Sequence, residues 1–296
     1  MKGTPVVSLR SVRKSYGSFE LGPVDLEIEP GYVVAVVGPN GSGKSTLIRM
    51  LMNLVQPSSG EVSLFGSSYP GDEVAIKQRI GYVPERSVGH AHMSADSLGE
   101  FVSHWYPGWD QRGYEEHVKR LDVEPGRKFC KLSRGVQRRL VFALALATGA
   151  ELLLLDEPTE GVDPFARLEM LEEISSFTEG GAGKTVVFAT HLVEEVRSVA
   201  DYVALLVDGK LLGLYEKDDL RQRWKSFWLD SEPEGEVPGV VEVVEGGTPT
   251  RIVTNSARET GQALSAQNIR IVRSRGVDLG DILFHMLRRS REDLRA

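Results

Sequence analysis

The 296-residue chain has a single cysteine, Cys130, so no disulfide can form within it, which fits a reducing compartment. Aromatic residues make up only 7% of it, and its 35 Lys and Arg are outnumbered by 42 Asp and Glu, a net charge of −7. That acid excess argues against nucleic acid as a partner, because phosphate backbones are met by basic surface. Long apolar runs are missing as well. The longest, at residues 33–37, 140–147 and 152–155, fall far short of the roughly 20 residues that cross a bilayer. The first ten residues lack the charged-then-apolar plan of a secretory leader, so the expected location is cytoplasmic. Fixed-period repeats and low-complexity tracts are also absent. What is present, 41% hydrophobic and 26% charged residues, is the composition of a globular chain long enough for one large domain or two smaller ones.

Up to about Tyr215, short apolar runs alternate with helical stretches, the runs lying at residues 6–12, 33–37, 152–155, 186–189 and 203–207. Several are apolar on successive residues, as parallel strands buried on both faces are, and the pattern predicts an α/β sheet with helices on its faces. Residues 86–131 shift to Gly, His, Ser and the aromatics Trp105, Tyr106 and Trp109, then regain helical character at 114–121. This segment reads as an inserted, mostly helical subdomain. A helix rich in Lys, Asp and Arg follows Tyr215, then a Pro/Glu/Gly-rich loop at 232–239, placing a boundary near residue 216. Beyond it, strands are expected at 240–244, 251–254 and 270–273, with helices at 259–266 and 279–289, a small α+β appendix.

Gly38-Pro39-Asn40-Gly41-Ser42-Gly43-Lys44-Ser45-Thr46 fits G-x-x-x-x-G-K-[ST] between the strand at 33–37 and an apolar-periodic helix at 47–54. Glycines let successive backbone N–H groups turn inward around an anion, and the helix N-terminus adds its positive end. Lys44 is then placed to reach the β/γ-phosphates, and the Ser45 hydroxyl to meet Mg²⁺. A second apolar strand, Leu152-Leu153-Leu154-Leu155, ends in Asp156 and Glu157. This arrangement sets a Mg²⁺-holding Asp beside the phosphate loop and a base where it can address an attacking water.

With these motifs in order, the chain resembles the ATP-binding subunit of ABC transporters over roughly residues 5–216. Tyr16, in Lys14-Ser15-Tyr16-Gly17, is similar to the aromatic on which that family stacks adenine. Leu132-Ser133-Arg134-Gly135-Val136-Gln137 resembles its signature segment and leads into a helix at 138–147. Asp156-Glu157-Pro158-Thr159-Glu160-Gly161-Val162-Asp163-Pro164 resembles the second Walker motif running into the D-loop, and Thr190-His191, closing a strand at 185–189, the switch histidine. The resemblance implies a P-loop NTPase core with a helical subdomain at 86–148, an N-terminal antiparallel β subdomain and a small α+β accessory domain at 217–296. It also implies a pair of nucleotide-binding subunits, alike or paralogous, sandwiching two ATP molecules head to tail. Lys44, Ser45 and Thr46 of one subunit would hold phosphates and Mg²⁺, while Ser133 and the Gly135 backbone of the other reach the γ-phosphate. Glu157 would polarise the water, Asp156 support Mg²⁺, His191 contact the γ-phosphate, and Asp163 couple the two sites at the seam.

The chain departs from the family's pattern at two places. Glu85, in Gly81-Tyr82-Val83-Pro84-Glu85, replaces the usual Q-loop glutamine and puts a carboxylate where an amide approaches Mg²⁺. In the signature segment Arg134 replaces a glycine and Val136 a glutamine, with Gln137 one place late, while Ser133 and Gly135 are kept. His90-x-His92 has no further ligand at metal-site spacing, so only Mg²⁺ is expected. Trp105, Tyr106 and Trp109 suit either a face for a membrane subunit or packing within the subdomain, and the C-terminal Arg288, Arg289, Arg291 and Arg295 either anionic lipid or solvent. The resulting expectation is an ATPase subunit, peripheral on the cytoplasmic face of the membrane, driving export through a separately encoded transmembrane permease. The alternatives are import, a soluble ABC-type ATPase outside transport, and a nucleotide-binding regulatory module.

Overall fold

A computed structural model describes residues 4–86, 91–181, 183–244 and 249–293. The chain forms two compact units, Met1–Leu214 and Tyr215–Ala296. The division falls two residues before the expected boundary, inside the last strand of the larger unit.

The larger unit runs β1 (Val7–Tyr16), β2 (Phe19–Ile28), β3 (Val33–Val37), α1 (Lys44–Leu51), β4 (Ser59–Leu64), β5 (Ser67–Ser68), α2 (Glu73–Lys77) and β6 (Ile80–Val83). It continues with α3 (Ala95–Ser103), α4 (Gln111–Arg120), α5 (Arg134–Leu146), β7 (Leu152–Asp156), α6 (Pro164–Glu179), β8 (Thr185–Thr190), α7 (Val193–Val199), β9 (Tyr202–Val207) and β10 (Lys210–Glu216). A six-stranded sheet in the order β10-β9-β3-β8-β7-β6 forms its centre, with β9, β3, β8, β7 and β6 parallel. Every residue of β3, β7 and β8 is buried, which is why these strands read as unbroken apolar runs. A second, antiparallel sheet in the order β2-β1-β4-β5 shows the alternation of a one-sided sheet, with Val24, Leu26 and Ile28 of β2 facing inward. One core joins Leu9, Val24 and Leu26 of this sheet with Leu47, Ile48 and Leu51 of α1 and with Val34, Val36, Leu152 and Val187 of the central strands. Helix α1 thereby sits between two sheets, its N-terminus fixed at the end of β3.

Between β6 and β7 the insert is helical. Ser94 caps α3 by accepting from Ser97 N, Asp110 caps α4 through Gly113 N at 2.9 Å, and Ser133 caps α5 through Val136 N at 3.3 Å. The three aromatics of the insert differ in exposure. Trp105 is 64% exposed, whereas Trp109 packs on the buried Tyr114 ring at 5.2 Å and burial pushes the Tyr106 hydroxyl pKa up. Among the described residues no helix is long and apolar enough to cross a membrane.

The smaller unit begins with α8 (Lys217–Arg223) and β11 (Lys225–Leu229), then β12 (Val240–Val244), β13 (Thr250–Thr254), α9 (Ala257–Ala266), β14 (Ile271–Gly276) and α10 (Leu279–Asp293). Its four antiparallel strands lie in the order β12-β13-β11-β14. Phe227, Leu229, Val237, Ile252, Leu264 and Ile269 form its own core. Strand β11 lies directly after the expected helix and was not anticipated from the sequence.

Candidate nucleotide site

The phosphate loop leaves β3 at Gly38 and enters α1 at Lys44. A side chain at Gly38 would place its Cβ 2.0 Å from the Leu206 carbonyl oxygen and 2.7 Å from Ser42 Oγ, so the loop can lie against β9 only with glycine there. Gly41 and Gly43 take φ of +80° and +107°, turning the chain into the helix. Helix α1 starts three residues earlier than its apolar periodicity predicts, because Lys44 and Ser45 form its first turn. Lys44 is buried and its Nζ donates to the Gly38 carbonyl at 2.9 Å, with Glu157 Oε1 at 3.5 Å. Pro39 is half-buried and Asn40 exposed at the mouth of the loop, and Thr46 follows, half-buried, on α1.

Ser45 Oγ donates to Asp156 Oδ1 at 2.9 Å, closing the loop onto the end of β7. Asp156 is fully buried and its Oδ2 has no hydrogen-bond partner among the described residues. Burial pushes its carboxyl up to about 6, against the pull of the Ser45 hydrogen bond, and the nearby Glu85 and Glu157 add to the rise. Glu157 takes the left-handed conformation (φ 49°), its N–H donating to Ala189 O of β8 at 2.9 Å. This turn aims its carboxylate inward, where Oε2 lies 2.9 Å from His191 Nδ1 and Oε1 faces Lys44. Phosphate loop, Asp156, Glu157 and His191 therefore meet at the C-terminal ends of β3, β7 and β8.

Ser133 is the N-cap of α5 and Gly135 lies in its first turn. A Cβ on Gly135 would lie 2.9 Å from Gly161 O, so α5 meets the loop after β7 at a glycine. Asp163 caps α6 by accepting from Phe165 N and Ala166 N at 3.2 and 3.1 Å, and these bonds, the Ala166 one first, hold its carboxyl pKa below its usual value. Gln137 turns away and donates to the carbonyls of Phe129 and Leu132. Tyr16 is 46% exposed at the tip of the β1–β2 hairpin, with Lys14 Nζ 5.2 Å from its ring centroid, and the neighbouring Phe19 ring reaches the position of Gly43. Glu85 is ion-paired to Arg49 of α1 at 3.0 Å. His90 lies outside the described residues, and no metal-binding cluster of three or more His, Cys, Asp or Glu occurs among those described.

A buried glutamate not legible in the sequence also belongs to this region. Glu195 of α7 is 1% exposed, accepts from Thr190 Oγ1 at 2.6 Å and also accepts a hydrogen bond from Thr159 Oγ1. It ties the segment after Glu157 to the residue before His191. Its only sequence signal is an acid four residues beyond the histidine, which on a helix looks like any solvent-facing glutamate.

The ABC transporter family model matches residues 21–160. The chain is 34% identical over 215 residues to the Nod factor export ATP-binding protein I of Cupriavidus metallidurans, covering 70% of each chain. It is 28% identical over 289 residues to a daunorubicin resistance ATP-binding protein of Streptomyces coeruleorubidus, covering 93% of this chain and 90% of that one. Among solved structures, a dimeric ATP-binding cassette in a post-hydrolysis state with ADP and Pi superposes with a TM-score of 0.62 at 28% identity, over 71% of this chain and 98% of that one. The chain belongs to the ABC transporter family, as an ATP-binding and ATP-hydrolysing subunit.

Proposed function

We propose that this subunit drives export through a separately encoded transmembrane permease, working as one of two motor subunits that close on ATP at the cytoplasmic face of the membrane. The observation that carries the motor reading is the cluster at the ends of β3, β7 and β8, where a buried lysine, an acid–histidine pair and a buried acid with one oxygen unpartnered converge. Export is supported by the relatives named for Nod factor export and daunorubicin resistance.

Mg²⁺ fits the donor set. Hard divalent cations take hydroxyl and carboxylate oxygens, and Ser45 Oγ with the unpartnered Asp156 Oδ2 supplies both, with Glu85 as a further carboxylate. Bound there, Mg²⁺ supplies positive charge against the β- and γ-phosphates. Lys44 exchanges its bonds to the loop carbonyls for phosphate oxygens, while backbone N–H groups of the loop between Asn40 and Thr46 cradle them. Tyr16 offers its exposed ring to adenine. Glu157 orients the attacking water and accepts its proton, and His191 holds that carboxylate in place and reaches the γ-phosphate. Ser133 and Gly135, at the N-terminus of α5, suit the phosphate held by a second subunit, with Asp163 at the seam.

Specific ATPase activity measured with Mg²⁺ across a wide range of protein concentration tests this reading. It rises with concentration as shared sites assemble. Activity per molecule that is the same at all concentrations, in a chain shown to be monomeric, contradicts it.

A further inference from the structure

Glu85 puts an extra negative charge beside Asp156 of the proposed nucleotide site, and two arginines from different helices engage it. Arg49 lies on α1 four residues after Ser45, hence on the same face of that helix. Its Nη2 stands 3.0 Å from Glu85 Oε2, and both side chains are partly exposed. Arg138 lies on α5, one turn beyond Ser133 and Gly135, and is 8% exposed. Its Nη1 donates to Pro84 O at 2.6 Å and its Nη2 to Glu85 O at 2.5 Å, with Glu160 Oε2 at 3.8 Å. The helix of the phosphate loop thus holds the Glu85 carboxylate, and the helix of the signature segment holds its backbone.

We propose that Arg49 and Arg138 are positioning residues for Glu85. Arg138 fixes where the segment lies relative to α5, and Arg49 aims and neutralises the carboxylate, so that Arg49 and Glu85 replace a neutral amide as a charge-balanced pair. The fork geometry matters for Arg138, because a planar guanidinium offers two donors in a fixed spacing to two successive carbonyls, whereas a lysine ammonium is a single flexible point charge that does not fix their geometry. A shift of α5 is then transmitted to the phosphate site through one side chain. The inference rests on the nucleotide-site reading above.

The test uses the full chain and a fluorescent ATP analogue titrated in EDTA, so that binding is read without metal or turnover. Arg49→Gln leaves Glu85 uncompensated and weakens binding about fivefold. Glu85→Gln alone changes affinity less than about twofold and the Arg49→Gln/Glu85→Gln double variant returns to within about twofold of wild type, a non-additive cycle that a merely structural arginine does not give. Arg138→Lys lowers kcat for Mg²⁺-ATP about tenfold with KM less affected. Additive effects in the cycle, or an Arg138→Lys chain with wild-type kcat and KM, overturn the proposal while leaving the nucleotide site standing. A wild-type chain that binds no analogue overturns both.

Discussion

At the scale of single residues, the site depends on a few side chains held by groups that take no part in chemistry. Glu157 keeps a left-handed backbone that a glutamate rarely adopts, and such strain persists only where the surroundings enforce it. Glu195 is part of that enforcement, since it receives hydrogen bonds from Thr159 and Thr190 on the two segments that carry Glu157 and His191. Glu195→Ala leaves two buried hydroxyls without their acceptor, at a cost of about 1–3 kcal/mol in folding stability. Steady-state kinetics of that variant are expected to show a loss in kcat that exceeds any change in KM for ATP. Gly38→Ala is expected to be worse, because its Cβ would overlap the Leu206 carbonyl, and a loss of nucleotide binding seen by equilibrium dialysis checks it. The phosphate loop and Asp156-Glu157 were legible in the sequence because their spacing is itself the chemistry. Glu195, Arg49 and Arg138 were not, since nothing local distinguishes a charged residue that folds inward to a distant partner from one that meets solvent.

At the scale of elements, ion pairs join the helical insert to the central sheet's flank. Arg120 of α4 reaches Glu172 and Glu173 of α6 at 2.9 and 2.8 Å, and His117 lies 3.4 Å from Glu173. Burial alone raises the Glu173 pKa, but His117 and Arg120 outweigh it and hold the carboxyl below its ordinary value. An acid so depressed stabilises the fold above its unfolded pKa, and the contribution is lost as the pH falls through the lower folded value. Glu173→Gln should therefore cost roughly 1–3 kcal/mol at neutral pH, with the gap to wild type narrowing below about pH 4. Urea unfolding at the two pH values reads this directly. The buried strands and the main helices were visible in the sequence from their apolar runs, whereas helix starts were displaced. Apolar periodicity marks where a helix packs, and α1 and α5 begin earlier, in turns built from glycine, lysine, serine and arginine. Strand β11 escaped notice because Lys225-Ser226-Phe227-Trp228-Leu229 follows a charged helix with no Gly or Pro between them.

At the scale of the whole molecule, two units each carry a core of their own, and the proposed phosphate-binding and catalytic residues all lie in the larger one. A ligand that binds only the folded form raises stability by about 2.7 kcal/mol at a hundred times its Kd. Calorimetry with ATP is accordingly expected to raise the transition in which the larger unit unfolds. If two chains complete each other's sites, as proposed, size-exclusion chromatography of Glu157→Gln with saturating ATP, beside its rate of Mg²⁺-dependent hydrolysis, reads it directly. The expected variant still binds ATP, fails to turn it over and elutes as a dimer. A variant that hydrolyses at the parent rate, or that stays monomeric with ATP bound, contradicts it.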